Sequence, residues 1–127
     1  MKKKMIQSIL LAIAASTLLS CSKDDKIFTD TKITVSPPEG VEMLRFQATM
    51  SFLNINTLQT VSSSDFENGV LHIRLLKGVY RLSLEEGGGI LTRDISGKTV
   101  FREAVIDGTP EELTEDSETA VVKLILK

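Results

Sequence analysis

Hydrophobic and polar residues alternate strictly over residues 44–52. The apolar members of this run are Leu44, Phe46, Ala48, Met50 and Phe52. Alternation with a period of two places one set of side chains on a core and the other in water, as in a β-strand. A helical period of 3.6 would scatter the same residues around the helix axis. The pattern therefore predicts a single strand over residues 44–52 with one buried face.

Residues 70–76 and 79–84 form a second pair of strand-like segments. Lys77 and Gly78 lie between them, and a two-residue connection of this kind predicts a β-hairpin. We expect Gly78 to adopt the positive φ that such a loop needs, so that valine would be costly there. The side chains expected to face inward are Leu71, Ile73, Leu75, Tyr80, Leu82 and Leu84.

Shorter apolar segments bounded by turn residues predict the remaining strands. They are residues 32–36, 58–61, 90–94, 99–106 and 120–126. Residues 109–112 fit either one helical turn, with proline at its first position, or an acidic loop. About seven short strands without a long helix predict an all-β fold, an antiparallel β-sandwich.

The first twenty residues differ from the rest of the chain. Lys2, Lys3 and Lys4 form a basic head, and residues 5–19 are almost wholly apolar. This run is shorter than the roughly 20 residues that a membrane-spanning helix needs. A basic head, a short apolar middle and small residues at the end are typical of an export signal. The pattern predicts a helical signal peptide over residues 1–20.

Leu18, Leu19 and Ser20 precede Cys21, the single cysteine of the chain. Leucine at position −3 does not suit a general signal peptidase, which favours small residues there. The four residues resemble the lipobox read by lipoprotein signal peptidase. The resemblance implies that the Cys21 sulfur is acylated, with palmitate among its chains, and that cleavage makes Cys21 the mature N-terminus. The alternative is a chance thiol after an ordinary signal peptide.

The segment after Cys21 is polar and includes Lys23, Asp24 and Asp25. It resembles the surface-export tag of Bacteroidetes lipoproteins, which implies an outer-membrane protein exposed at the cell surface. The alternative is a solvated tether that carries no surface-export signal. The predicted organisation is a lipoprotein signal peptide over residues 1–20, a lipidated cysteine with a tether over 21–31, and a domain over 32–127.

The hairpin-like segment carries a second resemblance. Gly69, Leu75, Gly78, Tyr80 and Leu82 match a signature of transthyretin-like domains, including carboxypeptidase regulatory-like domains, while Ile73 and Leu84 stand where phenylalanine and valine are usual. The resemblance implies an immunoglobulin-like or transthyretin-like sandwich. It also implies a spacer, scaffold or ligand-presenting role that is generally non-catalytic, although a fold does not by itself define a function.

The charge of the chain bears on its partners. The full chain carries 15 basic and 17 acidic side chains, and removal of three leader lysines changes its net charge from −2 to −5. This balance argues against a nucleic-acid partner, which requires a clustered basic face. The chain has no tryptophan and one tyrosine, so aromatic platforms for sugars are scarce.

Few residues offer catalytic or metal-binding chemistry. His72, the only histidine, alternates out of phase with Leu71 and Ile73, so we expect it to face solvent or a second element. The acidic set near the C-terminus lacks the spacing and glycine of a calcium loop, so we expect a solvated loop there. Its members are Glu111, Glu112, Glu115, Asp116 and Glu118. We predict no catalytic site, no metal site and no cofactor.

The sequence therefore predicts a non-enzymatic, lipid-anchored surface module that is structural, adhesive or ligand-presenting. Its partners would be the membrane, through acylated Cys21, and an unidentified surface protein or glycan. One alternative is an accessory or catalytic domain of a periplasmic glycan- or peptide-processing system, which needs paired carboxylates in a cleft or a buried His72. Another is a fimbrial subunit that donates the strand over residues 120–126.

Overall fold

A computed structural model describes residues 26–127, and the predicted leader, acylated cysteine and export tag lie outside this part of the chain. The described residues form ten strands. They are β1 (Phe28–Ser36), β2 (Glu42–Gln47), β3 (Met50–Asn54), β4 (Thr60–Ser63), β5 (Val70–Leu76), β6 (Gly78–Leu84), β7 (Gly89–Arg93), β8 (Thr99–Ile106), β9 (Glu111–Leu113) and β10 (Ser117–Leu126). No helix in the described range is long and apolar enough to cross a membrane.

The strands form two sheets. Six strands pair in the order β2-β7-β8-β10-β1-β5, and four pair in the order β4-β3-β6-β9. β1 and β10 run parallel, whereas the other neighbouring strands are antiparallel. Both sheets contribute to one buried core. The predicted all-β sandwich is therefore confirmed, with one parallel pair inside the larger sheet, next to its edge strand β5.

Alternate positions along the strands supply this core. Its buried members are Ile33, Val35, Phe46, Met50, Phe52, Leu71, Leu75, Tyr80, Leu82, Ile90, Ala104, Leu113, Ala120, Val122 and Leu124. Burial of a large apolar side chain contributes about 1.5–3 kcal/mol to folding. The predicted inward face of residues 70–84 is confirmed, since Ile73 and Leu84 are half-buried against the same core.

Residues 44–52 do not form the single strand that their alternation predicts. β2 ends at Gln47 in the six-stranded sheet, and β3 begins at Met50 in the other sheet. The alternation continues across this corner because both sheets face the same core. A shift of register between Met43 and Arg45 interrupts it, so Leu44 is exposed although the alternation predicts that it is buried.

The predicted hairpin at residues 70–84 is also wrong. β5 pairs with β1, whereas β6 pairs with β3 and β9. The chain therefore crosses between the sheets at Lys77. Gly78 does not have a positive φ. Glycine fits there because a Cβ atom would lie 2.9 Å from the side-chain nitrogen of Asn54.

The first strand begins at Phe28, inside the segment predicted as tether. Thr29 and Thr31 occupy inward positions and are almost fully buried. The hydroxyl of Thr31 donates to that of Thr29 at 3.4 Å. Threonine is polar in a sequence pattern but favourable in a strand, which explains why the prediction began only at Lys32.

Two other segments differ from their predictions. Residues 111–113 form β9, which pairs with β6, rather than a helical turn or a loop. Leu113 is buried and fixes β9 on the core. The weak strand predicted at residues 58–61 lies at Thr60–Ser63, because Leu58 adopts a φ of 62° in the preceding turn.

Candidate functional site

The parallel pair defines two ends of the sandwich. β1, β6 and β10 begin, and β3 and β5 end, at the same end. We term this end the N-terminal pole and define it by Lys26, Ile27, residues 55–58, Lys77 and Asp116. The opposite end is the distal pole. Backbone hydrogen bonds join the segments of the N-terminal pole, including Lys77 N–H to the Ile27 carbonyl at 2.8 Å.

The N-terminal pole exposes apolar side chains. Ile27 is 52% exposed, Ile55 37% and Leu58 74%. The ammonium group of Lys77 pairs with the carboxylate of Asp116 at 2.5 Å. This hydrogen bond and the charge of Lys77 lower the pKa of Asp116. The N-terminal pole therefore exposes three apolar side chains beside an ion pair whose opposite charges cancel.

A buried asparagine shapes the turn that carries Leu58. The side-chain oxygen of Asn54 accepts the N–H groups of Asn56 and Thr57 at 2.9 and 3.1 Å. The Asn54 carbonyl accepts the Leu58 N–H at 2.7 Å. Asparagine commonly closes turns in this way. The bonds hold Leu58 in a left-handed conformation that leucine rarely adopts.

The distal part of the molecule contains a cleft of about 730 Å³. It lies between β2 and residues 66–69, and its volume falls in the range typical of ligand sites. The rings of Phe46 and Phe66 meet edge to face, with centroids 4.6 Å apart. Arg45 and Glu67 add opposite charges to the lining. The arrangement could hold a small ligand or the side chains of a partner.

A smaller groove of about 180 Å³ lies beside β10. β8 pairs with β7 through Thr99–Glu103 and reaches β10 only through its last residues. The earlier part of β10 is therefore paired with β1 on one side alone. Asp107 and Glu111 both line this groove. The structure thus places two carboxylates on one groove, a combination that the sequence did not indicate.

His72 lies where the sequence predicts, exposed on β5 and opposite Lys32 of β1. It lines a shallow depression with Asp30 and Arg74. β1 and β10 separate β5 from β8 in the sheet. The structure therefore does not bring His72 together with the Asp107 and Glu111 pair.

Two of the acidic residues near the C-terminus, Asp116 and Glu118, contact other residues of the fold. The carboxylate of Glu118 accepts the N–H groups of Thr114 and Glu115 at 3.0 and 3.2 Å. Asp116 pairs with Lys77. Across residues 26–127, no group of three or more potential ligands is placed to hold a metal ion. Glu118 therefore closes the connection between β9 and β10, and Asp116 links this connection to Lys77 between β5 and β6.

Comparisons with known proteins give a fold. No protein-family description matches the chain, and no curated protein matches it. A crystal structure of a variant of BcpA, the major pilin subunit of Bacillus cereus, is similar with a TM-score of 0.55 and 13% identity. The match covers 76% of this chain and 29% of the pilin subunit. At this identity the likeness shows that both contain the same type of β-sandwich.

Proposed function

We propose that the chain is a lipid-anchored, non-enzymatic module displayed on the outer membrane, with a structural, adhesive or ligand-presenting role. The observation that carries this proposal is the sequence Leu18-Leu19-Ser20-Cys21, which resembles a lipobox and lies six residues ahead of a β-sandwich that begins at Phe28. Each buried methylene contributes about 0.8 kcal/mol, so two or three acyl chains hold a domain firmly at a bilayer.

Two further observations support a presenting role. The sandwich resembles part of a pilin subunit in its fold. Gly69, Gly78 and Tyr80 match the signature of transthyretin-like domains, whose members act as spacers or ligand-presenting modules. The cleft between β2 and residues 66–69 offers a site for a surface protein or glycan partner.

Labelling with palmitate tests the anchor. Cells expressing the wild type and Cys21→Ala are grown with labelled palmitate, and Ser22→Ala is the matched control because it leaves the lipobox intact. We expect label on the wild type and Ser22→Ala but not on Cys21→Ala. A wild-type mass that retains residues 1–20, or a bare Cys21, would contradict the proposal.

Proteolysis of intact cells tests surface display. We expect added protease to remove the wild-type domain, and replacement of Lys23, Asp24 and Asp25 by alanine to protect it without loss of the palmitate label. Protection of the wild type in unbroken cells would place it in the periplasm and reject the display.

The likeness to a pilin subunit favours a fimbrial subunit as a second candidate. The predicted donor strand over residues 120–126 lies within β10, between β1 and β8, with Ala120, Val122 and Leu124 in the core. Donating it would dismantle the larger sheet. The half-open edge of β10 could instead accept a strand from another subunit. Polymers in surface extracts that separate only on heating would support this candidate, and a monomer in the same extracts would reject it.

The groove beside β10 keeps the enzymatic alternative testable. Asp107 and Glu111 both line this groove, whereas His72 is exposed. Wild type and the double variant Asp107→Asn, Glu111→Gln are incubated with cell-wall glycan and with peptides. Hydrolysis by the wild type alone would establish this activity, and equal inactivity of both would remove it.

A further inference from the structure

We propose that the N-terminal pole is a membrane-contacting surface on which the domain stands. Ile27, Ile55 and Leu58 enter the headgroup region of a phospholipid bilayer, and the distal pole points away from it. The inference rests on the proposed acylation of Cys21. It adds an orientation and a second contact with the membrane, made by the folded domain itself.

The length of chain between the anchor and the fold supports this contact. Residue 26 follows Cys21 by five positions, and five residues span at most about 18 Å when fully extended. The Ile27 carbonyl is already bonded to Lys77, so the chain joins the fold at that residue. Whatever the path of residues 22–25, an acylated Cys21 holds the N-terminal pole near the bilayer surface.

The side chains at the pole suit an interface between water and lipid. Three exposed apolar side chains, Ile27, Ile55 and Leu58, lie on adjoining segments, since Ile55 N–H is bonded to Val79, two residues after Lys77. Lys26 lies beside Ile27, and a lysine beside an apolar side chain can keep its ammonium group at the headgroups.

The charges at the pole indicate that apolar contact dominates. Lys77 is paired with Asp116, and exposed Glu115 beside Asp116 adds a negative charge. The pole is therefore not a basic patch that depends on anionic lipid.

Leu58 is a non-glycine residue at a φ of 62°. The Asn54 turn fixes this conformation, so it holds the Leu58 side chain at the exposed surface of the pole.

The opposite end of the molecule provides a matched control. Leu126 of β10 pairs with Ala104 of β8, so Thr99–Glu103 extends beyond the end of β10. The turn that precedes β8 projects still farther from the N-terminal pole. This turn carries Ile95, which is fully exposed. Ile95 thus presents a large apolar side chain at the position that the proposal places in water.

Fluorescence quenching by brominated lipid tests the orientation. The chain contains no tryptophan, so Leu58→Trp and Ile95→Trp each introduce a single reporter at an exposed site. The acylated full-length variants are incorporated into phosphatidylcholine vesicles with bromine near the top of the acyl chains. We expect the emission of Leu58→Trp to shift to shorter wavelength and lose intensity, and that of Ile95→Trp to match its emission in unbrominated vesicles. Absence of quenching at Leu58→Trp would overturn the proposal.

Two measurements on the same material separate the possible failures. Mass spectrometry shows whether Cys21 is acylated. An acylated protein with an unquenched Leu58→Trp overturns the membrane contact but leaves the proposed anchor, whereas a bare Cys21 overturns both. A concentration-dependent blue shift of Leu58→Trp in the Cys21→Ala background would show that a second copy covers the pole, and would also overturn the membrane contact.

Discussion

The hydroxyl of Tyr80 donates a hydrogen bond to the carbonyl oxygen of Leu76, 2.7 Å away. The bond spans Lys77 and Gly78, where the chain leaves the six-stranded sheet for the four-stranded sheet. A tyrosine that bonds back to the backbone at such a crossing resembles the tyrosine corner of immunoglobulin-like sandwiches. It fixes the direction in which β6 departs and keeps both sheets over one core.

We expect Tyr80→Phe to lower the free energy of unfolding by about 1 kcal/mol, because the ring remains packed while the Leu76 carbonyl loses its side-chain donor. Urea denaturation followed by circular dichroism measures the change. Ser83→Ala, at an exposed position on the same strand, is the control and should change stability by less than about 0.5 kcal/mol. An unchanged midpoint for Tyr80→Phe would show that the bond does not stabilise the crossing.

Gly78→Ala is expected to destabilise the domain by about 1–3 kcal/mol through overpacking. The added Cβ atom would lie 2.9 Å from Asn54 Nδ2, and Asn54 is held by its bonds to Asn56 and Thr57. Gly108→Ala is the matched control, since the nearest atom to its Cβ would be 3.9 Å away. Thermal melts of the two variants should diverge, and similar melts would contradict the close approach at Gly78.

A chain that starts at Lys32 should be far less stable than one that starts at Lys26. The shorter chain lacks Phe28, Thr29, Asp30 and Thr31, which pair with β5, and the last two also pair with β10. Loss of these residues also leaves backbone N–H and C=O groups of β5 and β10 without their hydrogen-bond partners in the larger sheet. Hydrogen exchange of the β5 amides measures the effect, and equal protection in both chains would support a tether that extends to residue 31.

The turn between β7 and β8 should make stability depend on pH in acid. The hydroxyl of Ser96, bonded to Asp94 Oδ1 at 2.6 Å, is the main cause that lowers the pKa of Asp94 below its ordinary value of 3.8, and the Lys98 N–H adds to it. A lowered folded-state pKa means that the carboxylate stabilises the fold above about pH 4 and that this contribution is lost as pH falls through the folded-state pKa.

Ser96→Ala is therefore expected to raise the pKa of Asp94 toward 3.8 and to weaken the acid dependence of stability. Carboxyl-carbon NMR titration follows this group directly. Ser64→Ala, in an exposed loop, is the control. An unchanged pKa of Asp94 in Ser96→Ala would assign its shift to the backbone donors instead.

Much of the core could be predicted from the sequence because burial follows local alternation. Phe46, Met50 and Phe52 face inward as their spacing indicates, since a period of two is a property of the extended chain alone. The assignment of strands to sheets could not be predicted in this way. Alternation passes unchanged through the corner between β2 and β3, because it records which side faces the core and not which neighbour supplies the hydrogen bonds.

The N-terminal pole and the groove beside β10 could not be predicted from the sequence, because alternation does not indicate which distant segments become neighbours. Ile27 lies in a segment that composition assigns to a tether, and only its bond to Lys77 brings it to the same surface as Ile55 and Leu58. Asp107 and Glu111 line a groove beside the part of β10 that β8 does not reach, since β8 ends at Ile106 opposite Leu124. Contacts of this kind depend on long-range pairing, which no short motif specifies.

The parallel pairing of β1 with β10 has a consequence for biosynthesis. These two strands are adjacent in the larger sheet although they are the first and the last of the ten strands in the described residues. β1 can complete its hydrogen bonds to β10 only after residues 117–123 have been synthesised. Pairing between strands so far apart in sequence is slow. Late completion of this pair would suit the proposed export, because a chain whose sheet closes only after synthesis can cross a membrane before it folds.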